Sequence, residues 1–125
     1  MKFMQKLQYE PAWDKAISAQ DRLLIEQVFQ QTKEQDKRIS CCLIRTAINH
    51  KQQKLIITLI HNRTDQQLKF RNTEISIITE TEKITQNFTI DALQIPPFCS
   101  MPWTFIFDES IDFQFTEIKQ IDIEI

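Results

Sequence analysis

The sequence predicts a mainly β fold: an antiparallel β-sandwich of the immunoglobulin-like type with one N-terminal α-helix, residues 1–125 forming a single domain. Three observations predict it. A sustained helical period occurs in one place, over about residues 19–34. From Ile39 onward the apolar period is two, over about seven to nine short runs at close spacing. Finally, residues 95–107, Ile-Pro-Pro-Phe-Cys-Ser-Met-Pro-Trp-Thr-Phe-Ile-Phe, gather three of the four prolines, one of the two tryptophans and three of the nine phenylalanines.

The first element is residues 3–9, where Phe3, Gln5, Leu7 and Tyr9 alternate with Met4, Lys6 and Gln8, the pattern of a half-buried strand that Pro11 ends. Trp13 and Ile17, four apart, fit the inner face of one helical turn. Ser18-Ala19-Gln20-Asp21 places an N-cap serine before an acidic third helical residue, close to a capping box. Leu24, Ile25, Val28 and Phe29 then form the apolar stripe of the 19–34 helix, which is suited to lying across a sheet.

Strands follow at Ile39–Ile48 and Lys54–His61, joined by a turn at Asn49-His50-Lys51-Gln52-Gln53. Lys54–His61 is apolar on both faces, with Leu55, Ile57, Leu59 and His61 on one and Ile56, Thr58 and Ile60 on the other, so it belongs near a sheet centre. After the turn Asn62-Arg63-Thr64-Asp65 come strands at Leu68–Phe70, Thr73–Thr79 and Lys83–Ile90, the last aligning Ile84, Gln86, Phe88 and Ile90. Pro96, Pro97 and Pro102 predict an extended, non-helical crossing over 95–102. Trp103–Phe107 reads as a strand with its three rings on one face. Ile111, Phe113 and Phe115 alternate with Asp112 and Gln114. Ile121, Ile123 and Ile125 alternate with Asp122 and Glu124, the pattern of a charged edge strand.

The totals set limits. A chain of 125 residues buries roughly two-thirds of its unfolded surface and needs neither metal nor disulfide as a staple. A net charge of −2 gives no electrostatic basis for binding nucleic acid. Glycine is absent, which removes the phosphate loop, the dinucleotide fingerprint and the G-x-S-x-G nucleophile turn, and leaves turns to Asn, Asp, Thr, Gln and Pro. No signal peptide and no apolar run of membrane-spanning length is visible, so cytoplasmic residence without direct membrane insertion is expected. Cys41 and Cys42, adjacent on a strand, face opposite sides. A bridge from one of them to Cys99 stays open, beside the plainer expectation of free, mostly buried thiols.

Chemistry-bearing residues are sparse in pattern. The directly adjacent cysteines and the separation of His50 from His61 lack zinc spacing, so no metal and no cofactor are expected. A Cys99–His61 pair would suit acyl transfer only with an orienting group and oxyanion donors, to which nothing in the sequence points. Asn62-Arg63-Thr64 and Asn87-Phe88-Thr89 fit the glycosylation pattern but read as turn and strand residues. Asp108, Glu109 and Asp112 fit a solvated loop. The Trp103 face reads as core, not as a sugar platform. Phe98 and Met101, in the crossing before that strand, are the candidate partner contacts there. Ile121 and Ile123 are the candidates on the C-terminal edge.

The ordered features resemble those of the SLAP domain, a small domain of Gram-positive bacteria associated with S-layer assembly and the accessory Sec export system. The features are Pro11-Ala12-Trp13 leading into the Ser18–Asp21 helix start, the Leu59–Asp65 strand and Asn-x-Thr-Asp turn, and Ile95-Pro96-Pro97 followed by Ser100-Met101-Pro102-Trp103-Thr104-Phe105-Ile106-Phe107. The last run is the most specific, and the chain departs from the family in lacking turn glycines, as around Thr81-Glu82. The resemblance implies a non-enzymatic adaptor that binds a protein partner in export or cell-surface assembly, peripheral to the export machinery. A β-sandwich that binds carbohydrate or wall polymer is the alternative.

Overall fold

The computed structural model describes residues 4–108 and 118–124. The expected strand around Phe113 lies outside these residues, as do Phe3, Glu109 and Ile125. The described chain is mainly β, with two sheets and two helices. In order the elements are β1 (Lys6–Leu7), α1 (Pro11–Ala16), α2 (Ala19–Thr32), β2 (Ile39–Ile48), β3 (Lys54–Asn62), β4 (Leu68–Ile78), β5 (Lys83–Ile95), β6 (Cys99–Ile106) and β7 (Gln120–Glu124). One sheet has the order β1-β6-β3-β2 and the other β5-β4-β7. Pairing is antiparallel throughout except for β1, which runs parallel to β6.

The single expected helix is two. Pro11 does not simply end the first strand. It opens α1, where its missing N–H costs nothing, and the Glu10 carboxylate accepts from Ala12 N and Trp13 N. Ser18 then caps α2 by accepting from Asp21 N at 3.0 Å. Ile25 and Phe29, the inner residues of the expected stripe, are buried on Leu59 of β3, with Leu7, Tyr9, Trp13, Ile17, Val28 and Ile44 around them. Burying such side chains contributes about 1.5–3 kcal/mol each. The helices thus form an outer layer on the four-stranded sheet.

Between the sheets lies the larger core. Ile56 and Ile60 of β3 meet Phe70, Ile75 and Ile77 of β4, with Leu93, Phe105, Phe107 and Ile121 completing it. The Trp103–Phe105–Phe107 face points into this core as expected, Phe88 making edge contacts with Phe105 at 5.0 Å and with Phe107 at 5.3 Å. The outer face of the three-stranded sheet is polar: Ser76 of β4 is bonded to Thr85 and Glu124, and Lys83 reaches Glu124 at 2.7 Å.

Three further expectations are corrected. Leu68–Phe70 and Thr73–Thr79 are one strand, β4, interrupted by a register shift at Phe70/Thr73 where Asn72 takes a left-handed φ of 48°. The 95–102 crossing is a tight corner: β5 runs to Ile95, Cys99 N donates to Pro96 O, and Phe98 has a φ of 55°. Pro102 lies inside β6, because on the side away from β3 only β1 pairs it, at Cys99 and Ser100, and no described strand flanks that side beyond them. Turns without glycine are organised by side chains. Asn49 Oδ1 accepts from Lys51 N and Gln53 N, and Thr79 Oγ1 accepts from Thr81 N and Glu82 N.

Candidate functional site

The end of β3 carries three consecutive polar residues, His61, Asn62 and Arg63, and each binds a different part of the fold. Strand alternation turns His61 outward toward α2 and Asn62 inward toward the β5–β6 corner. Both are fully buried.

His61 lies between two hydroxyls. Its Nε2 is 2.7 Å from Thr32 Oγ1 and its Nδ1 is 2.5 Å from Ser100 Oγ. Thr32 uses its hydrogen on Val28 O at 2.7 Å, so His61 Nε2 carries the ring proton and donates it to Thr32. Nδ1 is then an acceptor, and Ser100 donates to it. Ser100 in turn accepts from Gln5 Nε2, which also donates to Asn62 O. The result is a directed chain from the N-terminal segment through β6 and β3 to the last turn of α2. Burial, with the nearby Arg63 charge, lowers the His61 pKa to about 4.

Asn62 Nδ2 donates to Gln66 O, Ile95 O and Pro96 O, and its Oδ1 accepts from Thr64 N and Oγ1. One side chain therefore holds both the β3–β4 turn and the corner that contains Pro96-Pro97. Arg63 donates to Thr32 O, Lys33 O, Lys37 O and Ser40 Oγ. It takes up carbonyls that the C-terminal end of α2 leaves without intrahelical partners, and the helix stops at Thr32.

A serine that donates to a histidine has the polarity of a nucleophile–base pair. Here Ser100 is fully buried, with Gln5 on its oxygen. In this fold the pair works as a tether between layers. Cys99, the residue weighed against His61 from sequence, projects from the opposite face of β6 into the core. All three cysteines are free. Burial pushes the Cys41 thiol up to about 12 and raises those of Cys42 and Cys99, so none is primed as a thiolate. His50 sits exposed in the β2–β3 turn. Among the described residues no three His, Cys, Asp or Glu side chains are grouped as metal ligands.

The accessible feature is apolar. The helices cover the Leu59 end of the four-stranded sheet and leave the other end open. There a groove of about 420 Å³ runs between Trp13 and Ile17 on one side and Ile44, Ala47, Leu55 and Ile57 on the other. Strand register extends it: Ala47, Leu55 and Ile106 lie opposite one another across β2, β3 and β6, and Ile106 is 43% exposed. Arg45 and Asp21 close one rim with a two-pronged ion pair at 2.9 and 3.0 Å.

The contact candidates from sequence divide. Phe98 is half-buried and lines a separate cavity of about 280 Å³ with Met4, Gln5 and Arg63. Met101, Ile121 and Ile123 are 5%, 2% and 8% exposed and belong to the core between the sheets. They are packing residues here, because β6 and β7 turn these side chains inward while their polar neighbours face out. The backbone of β7 does lie at a sheet edge. The groove escaped sequence reasoning because Leu55 and Ile57 carry the same period-two signal whether or not a helix covers them. Among the described residues, no helix is long and apolar enough to cross a membrane.

The model of one protein family, described as the SLAP domain, matches residues 7–124. No curated protein and no solved structure matches the chain.

Proposed function

We propose, since this chain belongs to the SLAP domain family, that it is a non-catalytic protein-interaction domain serving protein export or S-layer and cell-surface assembly. It acts in the cytoplasm, as an adaptor peripheral to the accessory Sec machinery. Its two sheets around one core support describing the fold as an immunoglobulin-like sandwich. The observation that carries the proposal is the apolar row Ala47–Leu55–Ile106, which no element among the described residues covers, and the groove beside it. A sheet face of this kind is stabilised by burial against another element, and the chain's own helices stop short of it.

A photo-crosslinking residue at position 106, used in native cells, tests this. Crosslinks to export or cell-surface assembly proteins, lost when Ala47→Glu is added, are the expected result. Equal crosslinking from position 74 on the polar outer face would overturn it.

Carbohydrate or wall-polymer binding is the second reading, and half-buried Trp13 at the groove is the observation that favours it. Quenching of tryptophan emission by wall glycans, abolished in Trp13→Phe, would move the assignment to that class.

A further inference from the structure

β4 is the middle strand of its sheet, yet only part of it is flanked on both sides. β5 pairs with it from Leu68 to Ile78, across the register shifts, whereas β7 pairs with it only from Glu74 to Ile78. Among the described residues, Leu68–Thr73 has no strand on the β7 side. That is about 20 Å of strand edge. A cavity of about 480 Å³ lies beside it. Ile39, Leu68 and Ile123 are its apolar lining, and Lys37 and Arg38 stand exposed at its rim. The Lys37 ammonium meets one carboxylate, that of Asp122, at a loose 3.9 Å.

We propose that the open length of β4 is a strand-addition site for an extended, alternating acidic and apolar segment of a partner protein. The inference rests on the protein-interaction function proposed above and adds a second surface with its own chemistry. β7 shows what this edge accepts. It places Ile121 and Ile123 in the core and turns Asp122 toward Lys37 and Glu124 toward Lys83. A segment continuing the line of β7 along β4 repeats that pattern. Its main chain pairs with β4, one apolar side chain enters the cavity over Leu68 and Ile123, and an acidic one reaches Lys37 and Arg38. A second copy of this chain fits poorly. It would set Lys37, Arg38, Lys69 and Arg71 against the same residues, and the irregularity at Asn72 bends the edge away from flat self-pairing.

The test is a titration of the isotope-labelled protein with a capped six-residue peptide of alternating isoleucine and aspartate, followed by amide chemical shifts. Expected are saturable shifts at Lys69–Thr73 and Lys37–Ile39, lost when alternate peptide amides are N-methylated. The exposed double variant Lys37→Glu/Arg38→Glu should weaken binding about tenfold while keeping the native amide spectrum elsewhere. Shifts at Glu74–Ile78, which would mean displacement of β7, shifts at the Leu55 groove, or none at millimolar peptide would each overturn the proposal. Crosslinking from position 106 should be unchanged by the same double variant, so failure at this edge and failure of the adaptor function are read separately.

Discussion

Ser100 Oγ donates to His61 Nδ1 across 2.5 Å, and Thr32 fixes that direction from the far side of the ring. The order of the chain matters because the ring's one acceptor nitrogen takes the Ser100 proton. A second proton on His61 would turn Nδ1 from acceptor to donor and leave the Ser100 hydrogen without its acceptor.

Stability should therefore fall on mild acidification. Folded His61 has a pKa of about 4, below the ordinary value of 6.5. Between these values the unfolded chain binds a proton that the folded one refuses, so stability is full above pH about 6.5 and declines toward pH 4, by about 3 kcal/mol when complete. Urea denaturation at stepped pH measures this. A slope over pH 6.5–4.5 that persists in His61→Gln would assign it to other groups.

Ser100→Ala removes the donor to Nδ1 and leaves Gln5 facing a methyl group. The expected loss is about 1–3 kcal/mol. It should be non-additive with Thr32→Val, because both act on one ring. The ¹⁵N chemical shifts of the His61 ring, read in the wild-type protein, should report a single tautomer protonated at Nε2. Equal population of both tautomers would refute the directed chain.

Asn62→Ala should be among the most damaging single changes. It deletes two N–H donors that serve three carbonyls, and an oxygen that accepts two hydrogen bonds, and strands the buried Ile95 carbonyl. We expect a loss of about 3 kcal/mol or more in chemical denaturation, with hydrogen exchange accelerated at both Thr64 and Cys99. Exchange confined to the β3–β4 turn would show that the corner holds by itself.

The hydroxyl of Tyr9 is buried with no hydrogen-bond partner among the described residues, although the Arg22 guanidinium lies 4.7 Å from its ring centroid. Tyr9→Phe should be neutral or stabilising by up to about 1 kcal/mol, since it removes an unpaid desolvation and keeps the ring contact. A clear drop in thermal midpoint would mean that the hydroxyl does find a partner in solution.

Much of the fold was legible because period and capping are local. Ser18 and Asp21 mark the start of α2. The alternation of Leu55–His61 marks a central strand, and the three rings of Trp103–Phe107 mark an inward face. What was misjudged depended on distant groups. The carbonyls left free at the end of α2 are taken by Arg63, remote in sequence. Pro102 is tolerated in β6 because its free side meets no described strand. The Ser100–His61 contact is a matter of register between β3 and β6, which alternation alone does not supply.

The sequence by itself determined the β-rich class, the early strand followed by helix, glycine-free turns and the pattern of its family, since each rests on residues within a turn or a strand of one another. Only the tertiary structure decided which apolar residues are covered. Met101, Ile121 and Ile123 are core and Ile106 is surface, although all four carry the same hydrophobic character. Burial belongs to the packing of layers, and the helices reach only one end of their sheet.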